Sequence, residues 1–243
     1  MTQQHISSAF DRDLEGIQAQ IMKMGGLVEQ AILDSAQALE TRDQELADKV
    51  RAGDKIIDSL EERLNEEAAR VIALRAPTAI DLRVILSVMR ISATLERIGD
   101  LAKNLAKRNA VLMTMPQING SASQLRRMSR DVQLMLKDAL DAYIQRDDKL
   151  AMSVIERDVD IDQMYNTLFR EFLTFMLEDP RNITPCMHLH FIAKNVERMG
   201  DHVTSIAEQV VFLVTGEKPE EPRQKEDVTS TDAELSSTPE NGA

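Results

Sequence analysis

The 243-residue chain repeats itself. Shifted by 104 residues, Asp34, Ala38, Arg42 and Asp43 fall on Asp138, Ala142, Arg146 and Asp147. The correspondence continues through Leu46/Leu150, Val50/Val154, Asp54/Asp158, Ile57/Ile161, Asp58/Asp162 and Leu64/Leu168. At a shift of 101, Glu96-Arg97-Ile98-Gly99-Asp100 falls on Glu197-Arg198-Met199-Gly200-Asp201. The three-residue difference lies in the connection before the last element of each half, where insertions are tolerated. One supersecondary unit is used twice, so the fold must be built from two related halves.

That unit is helical. Only 9 Gly and 7 Pro interrupt the chain, and 3% of residues are aromatic against 43% hydrophobic. Apolar content made of Leu, Ile, Val, Ala and Met favours long helices over strands. The breakers predict six helical segments, roughly 7–40, 43–75, 77–113, 123–145, 147–177 and 180–214. Asp43 and Asp147 suit N-caps, and Pro77 and Pro180 suit a first helical turn. Pro116, Asn119 and Gly120 mark the break between halves. Short links make consecutive helices antiparallel neighbours. The expected fold is all-α: two tandem antiparallel three-helix bundles, a duplicated six-helix up-and-down arrangement, with residues 1–116 and 117–216 as the repeats. Beyond Gly216, Val228 and Leu235 are the only large apolar residues. Such a segment cannot offset its ordering entropy, so 217–243 reads as a disordered acidic tail.

The formal charge of −12 argues against nucleic-acid partners, which need clustered Lys and Arg. A single cysteine, Cys186, forms no intrachain disulfide, and Met1-Thr2-Gln3-Gln4-His5 carries no signal-peptide pattern. No apolar stretch approaches the roughly 18 residues of a spanning helix, so a cytoplasmic protein is expected. The chain lacks a phosphate-binding Gly-Lys-Ser/Thr loop, a dinucleotide fingerprint, paired cysteines and a nucleophile motif, which points away from an enzyme.

What the chain does carry is duplicated acidic pairs. Residues i and i+4 lie roughly 40° apart, one turn along a single helix face. Glu96 and Asp100 pair in this way, as do Asp54 and Asp58, and their counterparts are Glu197/Asp201 and Asp158/Asp162. With Ile98, Leu101 and Leu105 on the opposite face of one helix and Ile56, Leu60 and Leu64 on the other, both pairs are expected to face outward. If the two helices are neighbours, four carboxylates converge in each half. Protons or bound cations relieve such crowding. Oxygen-rich donors suit iron or manganese, zinc less well, with magnesium as a further hard-cation option. Lys103 and Lys194, each three residues from an acid of the motif, offer neutralisation without a metal. Gly99 and Gly200 point to close helix approach or to space beside an ion. His188 and His190 diverge on a helix, whereas His202, next to Asp201, is a candidate accessory ligand. Arg97 and Arg198 suit ion pairs. Read this way, a metal-dependent hydrolase, an iron-storage protein and a metal-free scaffold stay open beside a regulatory protein.

The chain resembles the PhoU family of phosphate-specific transport system accessory proteins. The likeness rests on Met24-Gly25-Gly26-Leu27-Val28-Glu29, on Pro77-Thr78-Ala79-Ile80-Asp81-Leu82-Arg83, and on the two Glu-Arg-hydrophobic-Gly-Asp motifs. Ser205 stands where the family often has Asn, while Asn104 keeps it in the first half. The resemblance implies two three-helix bundles with multinuclear iron or zinc-type clusters on the acidic pairs. It also implies negative regulation of the phosphate-starvation response. The implied partners are the ATPase subunit of a phosphate ABC transporter and a sensor histidine kinase at the inner membrane, with the chain itself a homodimer.

Overall fold

The computed structural model describes residues 2–77, 80–217 and 219, and all regular structure among them is helical. The order is α1 (Thr2–Thr41), α2 (Gln44–Arg75), α3 (Ile80–Leu112), α4 (Ser121–Gln145), α5 (Asp148–Glu156), α6 (Asp158–Glu178), a single 3-10 turn (Pro180–Asn182) and α7 (Ile183–Thr215). The expected tail lies almost wholly outside the described residues.

The caps follow the repeat. Asp43 accepts from the amide of Leu46, and Asp147 accepts from those of Lys149 and Leu150, which satisfies amides that have no partner within the helix. The residues just before them, Arg42 and Arg146, both take positive φ (55° and 56°) to turn the chain between helices. Pro180 opens the 3-10 turn that leads into α7. Pro77 follows Ala76, which ends α2 in a left-handed conformation, and α3 is helical from Ile80.

The expected fifth segment is two helices. Arg157 separates α5 from α6, where the amide of Asp160 bonds the carbonyl of Arg157 in a tight turn. Arg157 also reaches Asp138 on α4 at 2.6 Å. No Gly or Pro marks this break, so the sequence pattern runs straight through it.

Helices α1, α3, α7 and α4 form a ring in which each packs on the next. Helix α2 covers the α1–α3 side, and α5 with α6 covers the α4–α7 side. Opposing contacts make α3 and α7 antiparallel: Arg90 donates to Gln209 at 3.3 Å, and Arg108 meets His188 at 3.3 Å. Helices α1 and α4 are antiparallel as well, from Gln133–Glu29 at 2.6 Å to the Arg126–Glu40 ion pair. One continuous apolar core draws on both halves, from Ile17, Ile21 and Ile32 to Val196, Ile206 and Val210. The repeats therefore share their interior, which ties the position of one acidic motif to that of the other.

Candidate functional site

Each half brings its two acidic helices together. In the first, Asp54 and Asp58 of α2 meet Glu96 and Asp100 of α3 across one seam. In the second, Asp158 and Asp162 of α6 lie along the seam with α7, which carries Glu197 and Asp201.

The carboxylates do not all face outward. Asp54 is 4% exposed, Asp158 and Asp162 are 1%, and Glu197 is 2%. The reason is visible in α2, whose buried stripe runs Val50, Asp54, Ile57, Leu60, Leu64, Ala68, Val71 in spacings of three and four. Asp54 sits on the packing stripe itself, as Asp158 does beside Ile161, Tyr165, Leu168 and Phe172 in α6. Ile56, expected in the core, is 54% exposed, and Ile57 takes its place. The expected core positions Ile98, Leu101 and Leu105 of α3 are buried.

Glycine permits the seams to close. A Cβ on Gly99 would come within 3.2 Å of Ile57, and one on Gly200 within 3.4 Å of Ile161, its repeat counterpart. Gly200 also approaches Asp158 Oδ1, which a Cβ would meet at 3.1 Å. Close helix approach thus accounts for both glycines. Gly25 of the Met24–Glu29 motif does the same between α1 and Leu140 of α4.

Lysines sit at both clusters. Lys103 Nζ bonds Asp54 Oδ2 on α2 and Asp100 Oδ1 on its own helix, the latter at 3.0 Å. Those two bonds, to Asp54 first and Asp100 second, raise the Lys103 pKa well above the ordinary lysine range and hold it charged. In the second half Lys194 Nζ bonds Glu197 Oε1 at 3.0 Å and lies 4.9 Å above the Tyr165 ring. Burial, then the neighbouring Asp54, pushes Asp58 up from the usual carboxylate range. Burial and then Asp100 do the same to Glu96.

Arg97 pairs with Glu96 at 3.6 Å. Burial, followed by the field of Arg198, pushes His202 below the usual histidine range, and Arg97 from α3 adds to it. The contacts that make α3 and α7 antiparallel, Arg90–Gln209 and Arg108–His188, flank the two Glu-Arg-hydrophobic-Gly-Asp motifs and set them side by side.

Among the described residues, no three or more His, Cys, Asp or Glu side chains are placed to hold a metal ion. The donor set is hard and oxygen-rich, but Lys103 takes the position between Asp54 and Asp100 that an ion would need. In the first cluster it is thus an ammonium, that of Lys103, that stands between the two acids it bonds. Also among the described residues, no helix is long and apolar enough to cross a membrane.

Both halves match one family model, described as the PhoU domain, over residues 21–108 and 125–210. The chain belongs to the PhoU family. A phosphate-specific transport system accessory protein PhoU homolog of Rhizobium meliloti (strain 1021) is 47% identical over 231 residues, covering 95% of this chain and 98% of that protein. A homolog of the same description from Caulobacter vibrioides (strain NA1000 / CB15N) is 43% identical over 227 residues, covering 93% and 99%. The crystal structure of PhoU from Pseudomonas aeruginosa matches with a TM-score of 0.83 at 38% identity, over 86% of this chain and 100% of that one. The phosphate transport system regulatory protein PhoU from Streptococcus pneumoniae matches with a TM-score of 0.80 at 28% identity, over 87% and 100%. The PhoU assignment covers both repeats, so it accounts for the duplicated motifs as well as for the helices.

Proposed function

We propose that this chain is an accessory regulator of phosphate transport that restrains the phosphate-starvation response. In this reading it is an adaptor between the ATPase subunit of a phosphate ABC transporter and a sensor histidine kinase, held at the inner membrane through those proteins. The single observation that carries the role is the match of both halves to the PhoU domain, with relatives named as phosphate-specific transport accessory proteins aligned nearly end to end.

The surface supports an adaptor. Two pseudo-equivalent hairpin tips expose large apolar side chains, Leu74 and Ile80 between α2 and α3, Leu177 and Ile183 between α6 and α7. Because α3 and α7 are antiparallel, the tips lie at opposite ends of the molecule. Exposed apolar groups grouped in this way are what protein partners cover. To transmit a signal, the adaptor binds one state of a partner better than the other.

The test is deletion of the gene followed by assay of a phosphate-repressed phosphatase. Loss of repression at high phosphate is expected, and unchanged repression overturns the role. Co-purification with the ATPase subunit and the kinase at high and low phosphate tests the adaptor step; capture of neither protein at either level removes it. Purified protein lacking phosphatase and ferroxidase turnover separates a regulator from a catalyst.

A further inference from the structure

The two carboxylate clusters share their acids by duplication but not their lysines. Lys103 follows Asp100 by three residues, whereas Lys194 precedes Glu197 by three. At the position equivalent to Lys103 the second half has Thr204, whose hydroxyl donates to the carbonyl of Asp201 at 2.8 Å. At the position equivalent to Lys194 the first half has Ala93. Each half has therefore placed an ammonium at its cluster from a different turn of the motif helix.

We propose that Lys103 and Lys194 are the resident cations of the two clusters, so that each half carries its counter-charge on its own chain and closes its seam without a metal ion. Lys103 clasps two helices, binding Asp54 on α2 and Asp100 on α3. Asp54 is buried, and its second oxygen, Oδ1, has no hydrogen-bonding partner among the described residues, so Lys103 alone compensates this carboxylate. Lys194 joins α7 to α6, with its ammonium on buried Glu197 and over the face of Tyr165. An ammonium has three donors on one compact charge, enough to bridge two carboxylates. A divalent or trivalent ion draws several oxygens inward and cannot share that space with it. Lysine and metal are thus alternatives at these centres, and this chain has two lysines where the family resemblance implies metal.

The experiment uses the full chain without a metal-binding tag. Elemental analysis is followed by thermal unfolding with and without EDTA, for wild type, Lys103→Met, Lys194→Met and the double variant Lys103→Met/Asp54→Asn. Wild type is expected to contain well under one metal ion per cluster and to melt at the same temperature in EDTA. Lys103→Met is expected to lower Tm by roughly 5–10 °C, because a buried carboxylate is left uncompensated. Adding Asp54→Asn is expected to recover most of that loss. Manganese is expected to raise the Tm of Lys103→Met more than that of wild type. Wild type that holds stoichiometric metal and loses Tm on chelation overturns the proposal, as does Lys103→Met melting like wild type. If Lys103→Met does not fold, the double variant decides: melting near wild type supports the proposal, and failure to fold overturns it.

Discussion

Gly200 lies so close to Asp158 that a Cβ there would sit 3.1 Å from Oδ1, while its counterpart Gly99 faces Ile57 Cδ1 at 3.2 Å. The two glycines occupy the same place in the repeat but face different atoms. One neighbour is the end of a flexible aliphatic chain, and the other is a buried carboxylate. Replacing Gly by Ala inside a helix gains about 1 kcal/mol of propensity. For Gly99→Ala that gain offsets a small shift of Ile57, and stability is expected to stay within about 1 kcal/mol of wild type. For Gly200→Ala the carboxylate must move within its packed seam, and a loss of about 1–3 kcal/mol is expected. Urea denaturation of both variants checks this, and equal stability of the two counts against it.

Asp58 and Glu96 are held above the usual carboxylate range, first by burial and next by Asp54 and Asp100 respectively. The folded state therefore keeps these protons more tightly than the unfolded chain. Their stabilising contribution is full below about pH 4, where the unfolded carboxyls are protonated, and is lost as pH rises through the folded values. Asp58→Asn is expected to raise the urea midpoint at pH 7, with the advantage shrinking toward about pH 4. A midpoint at pH 7 equal to or below wild type would rule this out.

His202 has the opposite sign. Burial, then Arg198, lowers its pKa, so it is neutral in the folded protein near neutral pH. Its contribution is present above the unfolded histidine value of about 6.5 and is lost as pH falls below that. Titration of the His202 ring followed by NMR is expected to give a midpoint below about 6.5, and His202→Gln is expected to flatten the acid-side loss of stability. A ring midpoint at or above the free histidine value contradicts the burial argument.

Arg42 and Arg146 are equivalent in the repeat and share a left-handed backbone, yet their side chains differ in what they hold. Arg42 donates to the carbonyls of Leu112, Met113 and Met115, where the chain leaves α3. Arg146 lies over Tyr143 with its guanidinium carbon 5.6 Å from the ring centre. Glycine relieves the backbone strain at either site, but only Arg42→Gly removes hydrogen bonds to charged donors. Arg42→Gly is expected to be less stable than Arg146→Gly by about 1–3 kcal/mol. Thermal or urea unfolding of the pair measures the difference, and indistinguishable variants refute it.

The duplication, the helical class, the aspartate caps and the pairing of acids at i and i+4 are all legible in the sequence, because each is a matter of local spacing. Orientation was less legible. Asp54 shares the spacing of Val50, Ile57 and Leu64, so period alone marks it for the interior, whereas its chemical type points to solvent. The break at Arg157 had no local signal at all, since it follows from where α5 and α6 pack on α7 and from the Arg157–Asp138 pair.

The acidity divides the same way. Sequence alone determined that eight acids recur as four pairs on helices of two related halves, since period and chemistry are properties of the chain. Only the tertiary structure decided that these pairs line two seams, with Asp54, Asp158, Asp162 and Glu197 buried and a lysine at each cluster. A helix face has no inside or outside until another helix packs on it. Once α2 meets α3 and α6 meets α7, the cost of removing carboxylates from water must be met within a few ångströms, and the side chains that can reach are fixed by the packing.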